Sequence, residues 1–422
     1  MNNPVAQDLS PFLKEIAERM QDPDSDERRW ALFDLEGQHG ESVVKLLVSG
    51  IQDPHRAVRE AAAEVLESQR PSDCGPHLIP LLGHETIEVR NAAAAVLVNF
   101  GEESVVDLIP ALKDGNEDVR KFSADILGLA GSPEAVPHLC EAARSDAVDN
   151  VVVSAIEALG KIGSADAVPV LNEILSRGEG MEAETIEALG LIGDTAAIDP
   201  LMAMLSNEDP IIAYAAVDAL GNLGDLQVLP RLIDYLDEAA EFMIEPLVMA
   251  IMGIGHKNGR NVFEAANENV IKAAVLLLAE GHQDATKRFV ELTQQGMSES
   301  LLRQFFNHIK RLPPNVVVPL VKSIPADGDF SAELASMTRH EDEWVAYTAM
   351  ETLTRHDPDS ARSLTLEMLR NMDGLRLMAA IRSAGELQLV EALPVLETLQ
   401  TSENEDIQLE SERAIAVLKD LS

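Results

Sequence analysis

Apolar and polar positions alternate along this chain in blocks, and the block itself repeats about every thirty residues. In the stretch from Asp166 to Gly193, Val170, Leu171, Ile174 and Leu175 fall at helical spacing after Pro169. The run Ser176–Gly180 then breaks the pattern. Ile186, Ala188, Leu189 and Ile192 take it up again, and Gly193 stops it. Apolar residues three and four apart line one side of a helix, so each block predicts two short helices joined by a turn. Pro169 costs the first helix little, because the N–H it lacks would be unpaired in that turn anyway. Gly193 supplies the left-handed backbone that closes the second. The same tail recurs at Leu127–Gly131, Leu159–Gly163 and Leu220–Gly224, and the closing glycines Gly101, Gly131, Gly163, Gly193, Gly224 and Gly255 follow one another at intervals of 30 to 32 residues. Pro76, Pro137, Pro200, Pro230 and Pro394 keep the register of Pro169, and alanines such as Ala61–Ala63 and Ala92–Ala94 predict close helix–helix approach. A fixed period of this length means stacked helical units with an extended surface. That shape points to binding before catalysis.

Two segments carry a family resemblance. Asp53-Pro-His-Arg-Ala-Val-Arg-Glu-Ala-Ala-Ala-Glu-Val-Leu66 and Glu117-Asp-Val-Arg-Lys-Phe-Ser-Ala-Asp-Ile-Leu-Gly128 resemble HEAT repeats of the bacterial type also called phycobilisome-lyase HEAT-like. Their shared features are a turn ahead of the second helix, Val-Arg at its start, alanine-rich core positions and a Leu or Leu-Gly end. The resemblance implies an all-α fold, a right-handed α-solenoid of about 11–12 HEAT-like helix pairs. It implies three regions: regular repeats over 1–255, degenerate helical repeats over 256–330, and C-terminal repeats with a capping helix over 331–422. The string Val119–Gly128, preceded by Val89-Arg-Asn-Ala-Ala, is also similar to HEAT proteins that accompany bacterial chemotaxis-type signalling systems, which implies a place in signal transduction.

Charge sharpens the expectation. The 422 residues hold 33 Lys and Arg against 72 Asp and Glu, a formal net charge of −39. Binding a phosphate backbone requires cationic side chains that release counterions, so nucleic acid is not an expected ligand. A strong negative field steers basic proteins toward the surface, and a basic partner protein is the expectation. No run approaches the ~18 apolar residues of a membrane span. The N-terminal Met1–Ser10 shows no basic stretch leading into an apolar one, as a secretory signal would. Cys74 and Cys140 fall in first helices two repeats apart, beyond bridging reach. They read as small core residues in a reducing, cytoplasmic compartment.

The carboxylates are placed in register. Six residues before Gly131, Gly163, Gly193 and Gly224 stand Asp125, Glu157, Glu187 and Asp218, with Glu64 in the matching place of an earlier repeat and Ala95 interrupting the row. In HEAT solenoids the second helices line the concave side, so the resemblance implies an acidic row along an inner groove. Four positions earlier runs a second column that includes the aromatic Tyr214. Aligning Glu343–Leu353 with Asp118–Leu127 puts Trp344, Tyr347 and Glu351 on one stripe. Aromatic residues in polar slots are the type that anchors protein interfaces.

Between His256 and Ile324 the Leu-Gly tail disappears, although Val270–Leu278 and Leu301–Ile309 still read as helices. Phe263, Phe289, Phe305 and Phe306 concentrate there, as do basic residues from Lys257 to Arg311. The segment is either a bend with bulkier core packing or a docking patch of opposite sign. Catalytic and metal signals are poor. The His-Glu pairs, His84-Glu85 and His340-Glu341, lie in turns more than 250 residues apart, which does not suit a shared metal centre. No catalytic residue, metal ligand or cofactor is expected. Two functions remain: a non-enzymatic scaffold gripping a basic partner protein, and, as the alternative implied by the resemblance, a bilin lyase or isomerase holding a tetrapyrrole in the groove.

Overall fold

The computed structural model describes residues 10–325 and 328–419. Residues 1–9, 326–327 and 420–422 lie outside the described residues. Among the described residues there are α-helices and short 3-10 turns and no strands. These helices alternate as first and second members of hairpins, making thirteen pairs where the repeat spacing predicts eleven or twelve. The chain is an all-α solenoid. It divides after Leu223 into two compact units.

In the N-terminal unit the second helices include Arg56–Leu66, Ile87–Asn99, Glu117–Ala130, Asp149–Ile162, Glu182–Ile192 and Pro210–Leu223. Four of them end as the sequence predicts, with Gly224 at φ 75° directly after Pro210–Leu223. Gly131, Gly163 and Gly193 lie at φ near 70° and return their N–H groups to Leu127, Leu159 and Leu189 at 3.0–3.2 Å. The other glycine of the Leu-Gly tail has a different task. A methyl on Gly128 would lie 2.7 Å from the Ala158 Cα, and one on Gly160 2.9 Å from the Ala188 Cα. Missing side chains therefore let neighbouring second helices touch backbone to backbone. First helices sit much less closely on one another.

The arginine of the Val-Arg signature fixes the turns, and Arg28, which follows Glu27, does the same in an earlier repeat. Arg28, Arg59, Arg90 and Arg120 each reach back six residues to a turn carbonyl, at 2.8–2.9 Å. Arg120 also forks onto Asp146 of the next repeat, at 2.7 and 3.0 Å, and Arg28 onto Asp53 at 2.7 and 2.9 Å. Two parallel bonds from one guanidinium to one carboxylate add geometric specificity to charge. Burial alone would push the carboxyls of Asp53 and Asp146 up. The arginine hydrogen bonds, the backbone N–H bonds and the arginine charge outweigh it, and both carboxyls sit below their ordinary value.

One glycine differs from its reading in the sequence. Gly255 does not close a helix: the helix Glu241–Lys257 runs through it, and it is absent from the glycines at positive φ. A methyl there would meet the Val262 side chain at 2.5 Å and the Arg260 carbonyl at 2.8 Å. The glycine makes room for the loop that folds back over the helix end.

The C-terminal unit holds the degenerate segment. Its helices Glu268–Ala279, Gln283–Thr293, Glu299–Phe306 and Pro314–Lys322 continue the alternation without the Leu-Gly tail. Phe263, Phe289 and Phe305 are buried and meet ring to ring at 4.9–5.8 Å, and Phe306 meets Phe330 at 5.2 Å. Bulky aromatic packing thus replaces the glycine–alanine seam. Several of the basic residues there are engaged locally: Lys272 with Glu268, Arg303 with Glu299 and Glu333, and Arg288 with the Met249 carbonyl.

Candidate binding surface

The slot six residues before the closing glycine points outward. Glu64, Glu157, Glu187 and Asp218 are exposed and Asp125 is half-buried, while their neighbours on either side, such as Ile156, Ala158, Ile186 and Ala188, are in the core. The geometry follows from helix period: a residue flanked by buried positions at i−1 and i+1 lies where two repeats leave the second helix open to solvent. The row is not uniform. Lys121 holds Asp125 at 2.8 Å and Lys161 approaches Glu157 at 3.4 Å, each one turn away on the same helix. Asp218 accepts from Asn222 at 2.9 Å. Glu64 and Glu187 carry no ion pair among the described residues.

Large apolar side chains stand beside these carboxylates, and the sequence reading did not single most of them out. Leu129 and Leu191, one turn after Asp125 and Glu187, are 61% and 60% exposed. Tyr214 and Ile211, one and two turns before Asp218, are 55% and 71% exposed. Leu191 leans toward the preceding helix, its Cδ1 lying 3.4 Å from where a methyl on Gly160 would be. The signal was in the sequence: the residue after the first glycine of the tail is Leu in two repeats, Lys161 and Asn222 in the others.

In the C-terminal unit, Trp344, Tyr347 and Glu351 come together along one side of the helix Glu343–His356, facing the helix Pro314–Lys322 across a shared groove. The indole of Trp344 is 61% exposed and meets the Tyr347 ring edge-on at 5.9 Å. The Tyr347 hydroxyl accepts a hydrogen bond from Arg382 at 2.6 Å. Burial is the largest influence on this phenol and pushes its pKa up. Glu351 pairs with Arg355 at 3.3 Å. The wall supplied by Pro314–Lys322 was invisible to repeat alignment, because that helix lacks the tail that sets the register.

The two His-Glu pairs have a structural task. The Nδ1 atoms of His84 and His340 accept the backbone N–H groups of Thr86 and Asp342, both at 3.0 Å. Asp53, Asp114 and Asp146 do the same two residues on in their own turns. Histidine here stands in for the aspartate of the turn. Among the described residues no group of three or more His, Cys, Asp or Glu side chains could hold a metal ion. No helix among them is long and apolar enough to cross a membrane. Cys74 and Cys140 are buried free thiols.

Known proteins are similar to this chain. A family model for HEAT repeats matches residues 11–98, 75–157, 105–182 and 179–252, together more than half of the chain. The phycocyanobilin lyase subunit beta of Thermosynechococcus vestitus is 33% identical over 106 residues, 25% of this chain and 49% of that protein. The match thus spans about half the length of that relative. An uncharacterized phycocyanin operon protein Z of Pseudanabaena tenuis is 24% identical over 168 residues, 38% of this chain and 83% of that one. Among solved structures, a chain from the complex of Kap95p with RanGDP aligns with 96% of this chain and 74% of its own length, at 10% identity and a TM-score of 0.47. With the repeat geometry and the family match in agreement, this chain belongs to the HEAT-repeat family.

Proposed function

We propose that the protein is a non-enzymatic scaffold that binds a partner protein of basic surface along the second helices of its N-terminal unit. The observation that carries this reading is the interleaving of exposed or half-buried carboxylates with exposed apolar side chains on one stripe: Asp125 with Leu129, Glu187 with Leu191, Asp218 with Tyr214. Carboxylates alone would serve solubility. Leucine and tyrosine held beside them in water are the composition of an interface, where apolar anchors supply affinity and charge supplies steering. The spacing of the layers supports a concave setting, since second helices are packed more closely than first helices. A stack curves toward its more closely spaced layer. The formal charge of −39 argues for a basic protein and against nucleic acid. Two buried free thiols support a reducing, cytoplasmic setting, and the similarity to HEAT proteins of chemotaxis-type systems supports a role in bacterial signal transduction.

The test begins with affinity capture from the native lysate at low and high salt, with identification of what elutes. Glu157→Gln, Glu187→Gln and Asp218→Asn together should then weaken capture of the identified partner more than Glu103→Gln, Glu134→Gln and Asp166→Asn, which remove equal charge from exposed turns outside the row. Equal losses would reject the row as the site. A second reading is favoured by the similarity to the phycocyanobilin lyase subunit: the groove holds a bilin for transfer to a phycobiliprotein. Mixing the protein with phycocyanobilin and an apo-phycobiliprotein and finding no change in the visible spectrum would remove it.

A further inference from the structure

A cavity of about 390 Å³ opens between the second helices Pro314–Lys322 and Glu343–His356 of the C-terminal unit. One wall is formed by Pro314, Val318 and Pro319 with Asn315 and Lys322, and the other carries the exposed indole of Trp344 and the edge of Tyr347. Two carboxylates flank the aromatic pair. Asp342 caps its helix with Oδ1, accepting the Val345 N–H at 3.0 Å, and makes no ion pair among the described residues. Glu351 holds Arg355 only through an exposed pair one turn away, the weak kind that a competing cation exchanges readily.

Some of the exposed or half-buried rings of this chain carry one of its own cations. Arg29 lies 5.4 Å from the centroid of Trp30, Lys121 5.4 Å from that of Phe122, and Arg382 5.9 Å from that of Tyr347. Trp344 has no such cation among the described residues, although indole is the ring that attracts one best. Arg382 takes one side of Tyr347 and the groove lies along the other residues of the same stripe. Lys322 is the single basic residue lining the cavity among the described residues, against two acidic ones.

We propose that this groove takes an arginine or lysine side chain from a partner protein, its aliphatic stem along Val318 and Pro319 and its charged head over Trp344 beside Asp342 and Glu351. The proposal deepens the reading of the protein as a binder of basic partners and rests on it, but it concerns a separate site in the other unit. It names the chemistry that decides recognition there: a cation with an apolar stem, which an acidic, a purely apolar or a compact polar segment lacks.

The chain has only two tryptophans, Trp30 and Trp344, so 5-fluorotryptophan labelling gives two fluorine resonances, and Trp30→Phe assigns them. The probes are short capped peptides carrying one arginine in a glycine–serine frame, with twins carrying lysine, leucine or glutamate. The arginine peptide should shift the Trp344 resonance saturably, leaving Trp30 unmoved, with the lysine twin weaker and the leucine and glutamate twins inert. Affinity measured by polarisation of dye-labelled peptide should fall about fivefold or more in Trp344→Leu, which removes no charge. A similar loss is expected in Asp342→Asn with Glu351→Gln, where the asparagine keeps the oxygen that caps Val345. Glu403→Gln with Glu405→Gln, equal in charge and outside the cavity, should leave it unchanged. A leucine or glutamate twin that shifts Trp344 as strongly as arginine would overturn the proposal, as would arginine binding undiminished in Trp344→Leu. Arginine binding that survives Trp344→Leu but is lost in the Glu157, Glu187 and Asp218 variant would overturn the groove while leaving the acidic row standing.

Discussion

Replacing Gly128 by alanine should damage the N-terminal unit, although alanine is the better helix former. A methyl at Gly128 would lie 2.7 Å from the Ala158 Cα and 2.8 Å from its Cβ, whereas carbon atoms rest at about 3.5–4.0 Å. The nearest obstacle is backbone, so the two second helices must part by roughly 1 Å. Overpacking of that kind costs about 1–3 kcal/mol, and the helix propensity gained returns about 1 kcal/mol. The net effect should be a loss of up to about 2 kcal/mol. The same substitution elsewhere provides a graded control. At Gly160 the nearest approach is 2.9 Å, at Gly190 3.0 Å, and at Gly385 3.5 Å, an ordinary separation. Loss of stability should therefore fall in the order Gly128, Gly160, Gly190, and Gly385→Ala should be neutral or stabilising by up to about 1 kcal/mol. Urea unfolding followed by circular dichroism measures the ranking, with Trp30 and Trp344, one in each unit, reporting which unit has opened. Ala158→Gly added to Gly128→Ala should restore only part of the loss, because the new methyl still presses on the backbone of residue 158. Gly128→Ala no worse than Gly385→Ala would refute the reasoning.

Two further outcomes can be measured. Arg120→Met strands the Asp146 carboxylate, whose side chain is 8% exposed, and should cost about 2–3 kcal/mol, somewhat below the about 3–5 kcal/mol of a fully buried pair. Asp53 and Asp146 are depressed below their unfolded value of about 3.9, so their contribution is complete above that pH and lost as pH falls through the folded values. The stability difference between the native chain and Asp146→Asn should accordingly shrink below about pH 4, and a difference that persists in strong acid would contradict the ion pair. Burial, aided by the Asp73 charge, pushes the Cys74 thiol up to about 12. Ellman's reagent should label it slowly in the folded protein and quickly in urea. Labelling of the folded protein at the rate of an unhindered thiol would contradict its burial.

What could be read from the sequence divides along the range of the physics involved. Helix ends at Gly131, Gly163 and Gly193 were legible because a left-handed closing residue is a property of the local backbone. Gly255 fits the same interval and does something else, since whether a glycine ends a helix or receives a loop depends on Val262, which the interval does not encode. The first glycine of each tail was legible as a repeat but not as the seam against Ala158 or Ala188, a neighbour thirty residues away. The degenerate segment hid a helix pair, because its phenylalanines fill by volume what Gly and Ala elsewhere achieve by close approach. Exposed columns were readable where a tail set the register, as for Asp125 and Tyr214. The Pro314–Lys322 wall of the aromatic groove was not, for want of a tail.

The acidic row also cannot act as five equal charges. A partner lysine meeting Asp125 or Glu157 has to displace Lys121 or Lys161, so each new pairing there replaces an old one and the gain is the difference between two exposed pairs, typically a few tenths of a kcal/mol. Glu187 has no cation to surrender among the described residues, and it stands one turn from the exposed Leu191. Asp218 engages a neutral amide and stands one turn from the exposed Tyr214. Charge without a competing internal partner and apolar surface without a covering neighbour therefore coincide on the adjacent helices Glu182–Ile192 and Pro210–Leu223. In the proposed complex, steering would act along the whole row, because it depends on summed charge; the strength of a bound complex depends on desolvated anchors, and the candidates for these are Leu191 and Tyr214, beside Glu187 and Asp218.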